Sequence, residues 1–163
     1  MENQQGIAAD RVTDWMSQHI DDLAPPLSFE LIAGGHSNLT YSVQDQNGRT
    51  FVLRRPPLGH VLESAHDMGR EHKIITALAG SAVPVAETVG LCKDVAVNDA
   101  PFYVMHYVAG PVLHDAEVTA QVPAQERAVL GDNVIDVLAA LHQLDPDEVG
   151  LGDLGRKEAY LQR

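Results

Sequence analysis

The stretch FYVMHYVAG at residues 102–110 is a mainly apolar run with two tyrosines that ends in a glycine. Two shorter stretches precede it in the chain: GGHSN at residues 34–38 and FVLRR at residues 51–55. β-Branched and aromatic residues favour strands, whereas a glycine pair permits the positive backbone angles of a tight turn. In this order the three stretches predict a glycine-rich hairpin, a strand with a basic end, and a later strand that leads into a linker.

Length and composition limit the class of protein. The chain has 163 residues, of which 45% are apolar, enough for one compact core or for a small lobe with part of a second. The longest apolar runs fall far short of the roughly 20 residues of a membrane helix, and residues 1–5 lack the features of a signal peptide. We therefore expect a cytoplasmic protein with no membrane partner. The single cysteine, Cys92, is expected to be a buried thiol.

The overall charge is strongly acidic. The chain carries 11 Lys and Arg residues against 23 Asp and Glu residues, a net charge of -12. Because binding to phosphate backbones requires a basic surface, this balance argues against a nucleic-acid partner. Acidity could attract a cationic substrate, but acidic surfaces mostly serve solubility.

Hydrophobic periodicity and turn residues divide the chain into elements. Apolar residues at helical spacing predict a leading helix at residues 7–23, which a proline pair at residues 25–26 ends. The Asn-Gly dipeptide at residues 47–48 favours a hairpin turn. A one-sided apolar pattern predicts a second helix at residues 64–78. Strands are predicted at residues 28–32, 39–44, 50–55, 87–93 and 102–107.

The pattern changes after a Gly-Pro linker at residues 110–111. Pro123 can open a helix at residues 124–142 whose apolar residues form two stripes, so this helix should need cover on more than one side. A glycine-rich loop follows, and another helix begins at residue 156. We predict an α+β fold in three parts: a leading helix (residues 1–27), a five-stranded antiparallel lobe with one main helix (28–107), and a linker with the first helices of a truncated helical lobe (108–163).

Five motifs in this order resemble the aminoglycoside phosphotransferase family. They are GGHSNLTY at residues 34–41, VLRRPP at 52–57, RE at 70–71, YVM at 103–105, and a tail with LHQLDP at 141–146 and GLGDLGR at 150–156. The likeness is greatest to the branch similar to the kinase-like domain of acyl-CoA dehydrogenase-associated proteins. The resemblance implies a protein-kinase-like N-terminal lobe that binds nucleotide, followed by the start of a helical C-terminal lobe.

The resemblance also implies a set of nucleotide-binding residues. Arg54 takes the place of the cation that meets the phosphates and Glu71 that of its helix partner, with arginine replacing the lysine usual in protein kinases. Met105 would line the back of the adenine pocket, and backbone groups of His106 and Val108 would bind the edge of adenine. The glycine-rich loop would approach the phosphates through Gly34, Gly35, His36, Ser37 and Asn38.

Each of these residues also has a plainer interpretation. The loop could be an ordinary hairpin turn with an exposed His36. Arg54 could be an exposed edge residue, and Glu71 one more solvated charge on a helix. Met105 could be a core residue, which is compatible with lining a pocket.

Three histidines raise the question of a metal site. His60, His66 and His72 recur at six-residue spacing, which points successive helix side chains in divergent directions, so we predict no metal site there. The acidic residues at 145–148 are interpreted as a solvated loop. We assign no metal ligand in the chain.

Full-length relatives in the resembled family imply ATP-dependent phosphorylation of a hydroxyl on a small molecule, with Mg²⁺ as the accompanying metal. No stretch of the 163 residues matches the catalytic aspartate loop or the later magnesium-binding acid, so this chain alone is predicted to be inactive. The favoured interpretation is the ATP-binding N-terminal portion of a small-molecule kinase. The alternative is a non-catalytic nucleotide-binding or interaction module. The helix at residues 124–142, with the segment near Tyr160 and Leu161, further predicts self-association.

Overall fold

The structure is a computed structural model, and it describes residues 5–33, 38–59 and 66–155. The chain groups into two compact units, Met1–Thr76 with Ala86–Tyr107, and Ala77–Val85 with Val108–Arg163. The elements follow one another as α1 (Ala9–Ser17), β1 (Ser28–Ala33), β2 (Leu39–Gln44), β3 (Thr50–Arg55), α2 (Met68–Leu78), β4 (Thr88–Cys92), α3 (Val95–Asn98), β5 (Phe102–His106), α4 (Ala116–Ala120) and α5 (Ala124–Gln143).

One antiparallel sheet forms the first unit. Its strand order is β1-β2-β3-β5-β4, so the last strand in sequence inserts between β3 and β4. The β2–β3 hairpin closes at Gly48, whose φ of 80° is a conformation that glycine adopts without strain. Asp45 holds this turn, because its carboxylate accepts hydrogen bonds from the backbone N–H groups of Asn47 and Arg49. The turn predicted from the Asn-Gly dipeptide is therefore confirmed.

The two faces of the sheet have different chemistry, because successive side chains of a strand alternate between faces. One face carries Tyr41, Val43, Phe51 and Leu53, all at most 2% exposed. These residues form the core together with apolar residues of the leading segment and of α1: Ile7, Val12 and Met16. The opposite face carries the alternate residues of the same strands, and these include the candidate site.

Polar contacts fix the leading segment to the sheet. The hydroxyl of Tyr41 donates to the carbonyl of Gln5 (2.7 Å), and the guanidinium of Arg55 donates to the carbonyl of Gly6. The N–H of Ala8 donates to the buried side chain of Asn98 at 2.8 Å. The segment before α1 is thus bound through its backbone rather than only through apolar packing.

The second unit exposes much apolar surface. No residue of α5, a helix described over its full length, is buried. Val134 is 65% exposed, Ile135 64% and Leu138 45%. Among the described residues, no helix is both long and apolar enough to span a membrane.

The five predicted strands and the helices at 64–78 and 124–142 have counterparts in the structure, with each strand end within one residue of its predicted position. The second helix begins at Met68, and residues 64–65 of the predicted helix lie outside the described residues, as does the helix predicted from residue 156. The short helices α3 and α4 were not predicted. Each begins at an aspartate whose side chain accepts a backbone N–H, from Ala96 in α3 and from Val118 in α4.

The predicted extent of the leading helix is wrong. The helix ends at Ser17, six residues before the predicted limit. The ring of His19 contacts the Trp15 carbonyl at 2.7 Å, and the N–H groups of His19 and Ile20 both donate to the Met16 carbonyl, which turns the chain. Apolar residues beyond the helix still pack on the core from this turn, which explains why the pattern looked continuous.

Candidate functional site

The register of the sheet builds the first part of the site. Thr40 of β2 pairs with Arg54 of β3, and Arg54 pairs with Tyr103 of β5. Directly paired residues point to the same face, so these three side chains form a row across the middle of the sheet. Nη1 of Arg54 donates to the hydroxyl of Thr40 at 2.9 Å. The strand register therefore places one cation between two hydroxyl-bearing neighbours.

Helix α2 supplies the anion. Asp67 caps its N-terminus, accepting the N–H of Arg70 at 3.0 Å through its side chain and the N–H of Glu71 at 3.1 Å through its carbonyl. Glu71 consequently lies in the first turn, where the helix dipole favours a negative charge. Oε2 of Glu71 accepts a hydrogen bond from Nε of Arg54 at 2.8 Å, and the side chains of Glu71 and Arg54 are each 30% exposed. The ion pair expected between Arg54 and Glu71 is present.

A phenol adds a second donor to the same carboxylate oxygen. The hydroxyl of Tyr103 donates to Oε2 of Glu71 at 3.2 Å. Burial and the neighbouring Glu71 charge raise the pKa of Tyr103 to about 12. The phenol therefore keeps its proton, and remains a donor, throughout the physiological range.

The other oxygen of Glu71 binds Asn38. Nδ2 of Asn38 donates to Oε1 of Glu71 at 2.6 Å, and Oδ1 of Asn38 lies 2.7 Å from Nδ1 of His66. Asn38 is only 6% exposed. Glu71 is thus bound at both oxygens, by a strand arginine and a strand tyrosine on one side and by an amide on the other.

Arg54 keeps unused hydrogen-bonding capacity. A guanidinium has five N–H groups, of which the Nε group binds Glu71 and one of the Nη1 groups binds Thr40. The structure shows no hydrogen bond between its Nη2 group and another described residue. A fixed, partly exposed guanidinium with free N–H groups is suited to phosphate oxygens.

A neighbouring histidine is held neutral. Burial and the charge of Lys93 lower the pKa of His72, which follows Glu71 in α2. Its ring meets the ring of Tyr103 edge-on, with centroids 6.0 Å apart. A neutral His72 adds no positive charge next to Glu71 in α2.

The proposed adenine-binding stretch begins at the end of β5. Met105 is half-buried on the same face as Arg54. The N–H of His106 donates to the Glu87 carbonyl at 2.8 Å and is therefore already engaged within the sheet. Val108 belongs to the second unit and is 70% exposed.

The structure brings together three of the residues selected from sequence: Asn38, Arg54 and Glu71. The loop residues Gly34, Gly35, His36 and Ser37 lie outside the described residues. One N–H of the Asn38 side-chain amide binds Glu71, a contact that was not predicted from the sequence.

Sequence reasoning missed the contributions of Thr40, His66 and Tyr103 to this site. The strand pairing of Thr40 and Tyr103 with Arg54 was a usable signal once the hairpin register was known. No sequence pattern indicated the contact of His66. In the described parts of the chain, no group of three or more His, Cys, Asp or Glu side chains is arranged to hold a metal ion.

A cation on the third strand, paired with a glutamate at the start of a helix over a five-stranded antiparallel sheet, is the arrangement of the N-terminal lobe of the protein-kinase-like fold. The sequence matches the phosphotransferase enzyme family (APH) over residues 28–163. The chain belongs to this family, and the expected resemblance is confirmed.

Relatives and a solved structure agree with this assignment. The chain is 36% identical over 140 residues to acyl-CoA dehydrogenase family member 11 of Gallus gallus, covering 86% of this chain and 18% of that protein. It is 33% identical over 144 residues to the probable acyl-CoA dehydrogenase IBR3 of Arabidopsis thaliana, covering 85% of this chain and 17% of that protein. The structure also superposes on the crystal structure of a Ralstonia eutropha protein that is described as an aminoglycoside phosphotransferase. The TM-score is 0.75 and the sequence identity 36%, and the match covers 94% of this chain and 44% of the Ralstonia chain. The chain thus spans about a fifth of these relatives and less than half of the solved structure.

Proposed function

We propose that the first unit of this chain binds ATP, with Arg54 as the cation that receives its phosphates. The unit would serve a small-molecule kinase that transfers the terminal phosphoryl group of ATP to a substrate hydroxyl. Family membership supports the reaction class, and the ion pair supports the position of the nucleotide phosphates.

The observation that carries the proposal is the geometry of Arg54. Glu71 and Thr40 hold two of its N–H groups at 2.8 and 2.9 Å, which fixes the plane of the guanidinium. Fixed donors aimed at an anionic ligand lose less entropy on binding than mobile ones do. Arg54 therefore acts as a preorganised phosphate-binding group rather than as a flexible surface charge.

The described residues offer a group that suits ATP but no assigned ligand for Mg²⁺. ATP would supply the phosphoryl group, and a guanidinium with free N–H groups fits its phosphate oxygens. For Mg²⁺ we assign no ligand among the described residues. We expect these 163 residues to bind nucleotide with modest affinity and to turn it over far below the roughly 1 per second of ordinary kinases, because no stretch of them matches the catalytic aspartate loop of the family.

The substrate class is a small molecule with a free hydroxyl. This follows from the reaction of the family and from the acidic chain, which disfavours nucleic acids. Neither an aminoglycoside nor an acyl-CoA derivative is assigned, because no described residue distinguishes between them.

Calorimetric titration with ATP and Mg²⁺ tests the proposal. The Arg54→Met variant should bind ATP at least about tenfold more weakly than wild type, because a charged hydrogen-bonding group is removed. Arg11→Met is the matched control, since Arg11 of α1 pairs with Asp99 after α3 in an exposed salt bridge. Equal ATP affinity of wild type and Arg54→Met would contradict the role of Arg54.

A further inference from the structure

Asn38 connects three segments that are distant in sequence. Its amide binds Glu71, 33 residues later, and His66, 28 residues later. It is buried, at 6% exposure, and it directly follows the glycine-rich residues 34–37 in the chain. A buried amide that bridges two side chains is costly to leave unsatisfied, so both of its contacts matter.

The chemistry of the partners fixes the orientation of this amide. An ionised carboxylate only accepts hydrogen bonds, so the NH₂ group of Asn38 must face Glu71 and the carbonyl oxygen must face His66. That carbonyl also only accepts, so Nδ1 of His66 must carry a hydrogen. The order of donation therefore runs from His66 to Asn38 and from Asn38 to Glu71.

The result for Glu71 is loss of rotational freedom. The terminal torsion of a glutamate is broad when the carboxylate is bound at one oxygen only. Here Oε2 binds Arg54 and Tyr103 while Oε1 binds Asn38, so rotation breaks contacts at both ends. His66 holds Asn38 in turn, and this extends the restraint to the segment before α2.

We infer that Asn38 and His66 are positioning residues that hold Glu71, and through it Arg54, in the geometry that receives phosphate. This inference rests on the proposed nucleotide-binding function. Neither side chain needs to touch the nucleotide, because each acts through a contact within the protein, Asn38 with Glu71 and His66 with Asn38. The two residues therefore affect the phosphate-dependent part of binding and not adenine recognition.

Two substitutions of His66 separate positioning from general stability. His66→Leu removes the donor to Asn38. His66→Asn restores it, because the amide nitrogen of asparagine stands as many bonds from Cα as Nδ1 of histidine does. Asn38→Leu is a second way to break the same chain of contacts if His66→Leu unfolds, and thermal denaturation of each variant identifies the folded ones.

The first readout is the ratio of the dissociation constants for adenosine and for ATP with Mg²⁺. We expect His66→Leu to weaken ATP binding about threefold to tenfold, which corresponds to the loss of one hydrogen bond. Adenosine binding should stay unchanged, and His66→Asn should recover most of the ATP affinity. An equal loss for adenosine and ATP, or no recovery in His66→Asn, would overturn the inference.

The second readout needs no nucleotide. Solvent exchange of the Arg54 Nε–H group, followed by ¹⁵N NMR, should be slow in wild type, faster in His66→Leu and slow again in His66→Asn. If wild type binds no ATP, the proposed function fails while this measurement still decides the positioning role. Unchanged exchange in His66→Leu and in Asn38→Leu would reject that role, whether or not ATP binds.

Discussion

Arg54 and Arg55 are adjacent in sequence, yet they serve opposite faces of the sheet. Arg54 joins Glu71 and Thr40 on the face of the candidate site. Arg55 is 6% exposed and donates to the carbonyls of Gly6 and Pro56 on the core side. The alternation of a strand thus separates a binding cation from a structural one within a single dipeptide.

Substitution of the two arginines should separate stability from binding. Arg55→Met should lower the free energy of unfolding by about 2 kcal/mol, because buried carbonyl acceptors lose their donor. Arg54→Met should cost less, about 1 kcal/mol or below, because its ion pair is partly exposed. Urea denaturation measures both values. A larger loss in Arg54→Met than in Arg55→Met would contradict this division of roles.

Tyr103 should make stability depend on pH in alkaline solution. Its pKa is about 12 in the folded state against about 10 in the unfolded chain, so its contribution is complete below pH 10. Between pH 10 and 12 the unfolded chain releases the phenolic proton and the folded chain keeps it, so the free energy of unfolding falls. Tyr103→Phe, which has no such proton, should show a shallower decline in urea denaturation at pH 9, 10 and 11. Parallel declines for the two proteins would reject the raised pKa.

At the scale of elements, helix α1 and strand β4 pack at a glycine. A Cβ on Gly90 would lie 3.3 Å from Cη2 of Trp15, a tighter approach than most side chains make. Trp15 itself stacks on His19 at 3.9 Å and meets Phe102 edge-on at 5.0 Å. The absence of a side chain at residue 90 therefore allows the leading helix to lie against the sheet.

Gly90→Val should destabilise the chain by about 1–3 kcal/mol, because the added methyl groups displace the Trp15 ring. Gly131→Ala is the control, since its Cβ would meet no atom within 4 Å and alanine favours a helix interior. That variant should be neutral or up to about 1 kcal/mol more stable. Thermal denaturation followed by circular dichroism compares them, and a Gly90→Val variant as stable as wild type would disprove the close packing.

These elements show what the sequence could and could not predict. The strands follow from alternation and from punctuation such as the Asn-Gly turn, and the Arg54–Glu71 pair follows from the order of the family motifs. The contact of Asn38 with His66 depends on how the segments before β2 and before α2 approach each other in space. The hydrophobic periodicity of the sequence contains no information about that approach. The end of α1 was missed for a related reason, because apolar residues after Ser17 pack on the core without being helical.

At the scale of the whole molecule, α5 is the least covered element of the described chain. Val129, Val134 and Ile135 are each more than half exposed, and Leu138 and Leu141 more than 40%. Apolar patches of this kind commonly mark sites of association. The acidic net charge of -12 opposes association but acts weakly at physiological ionic strength.

We expect the 163-residue chain to self-associate through α5. Light scattering over a dilution series should give a mass that rises with concentration. Replacing both Val134 and Leu138 by Asp should return the monomer, because charges are excluded from an apolar interface. A wild-type mass equal to that of the monomer at every concentration would rule out the association.

The measurement that tests the central claim most directly is a titration with ATP followed at the Nε–H resonance of Arg54 by ¹⁵N NMR. The account predicts that this resonance shifts as ATP saturates the chain and stays in place with adenosine, because only ATP brings phosphate to the guanidinium. Saturation by ATP with the Arg54 resonance unmoved would contradict the account, as would a chain that binds no ATP at all.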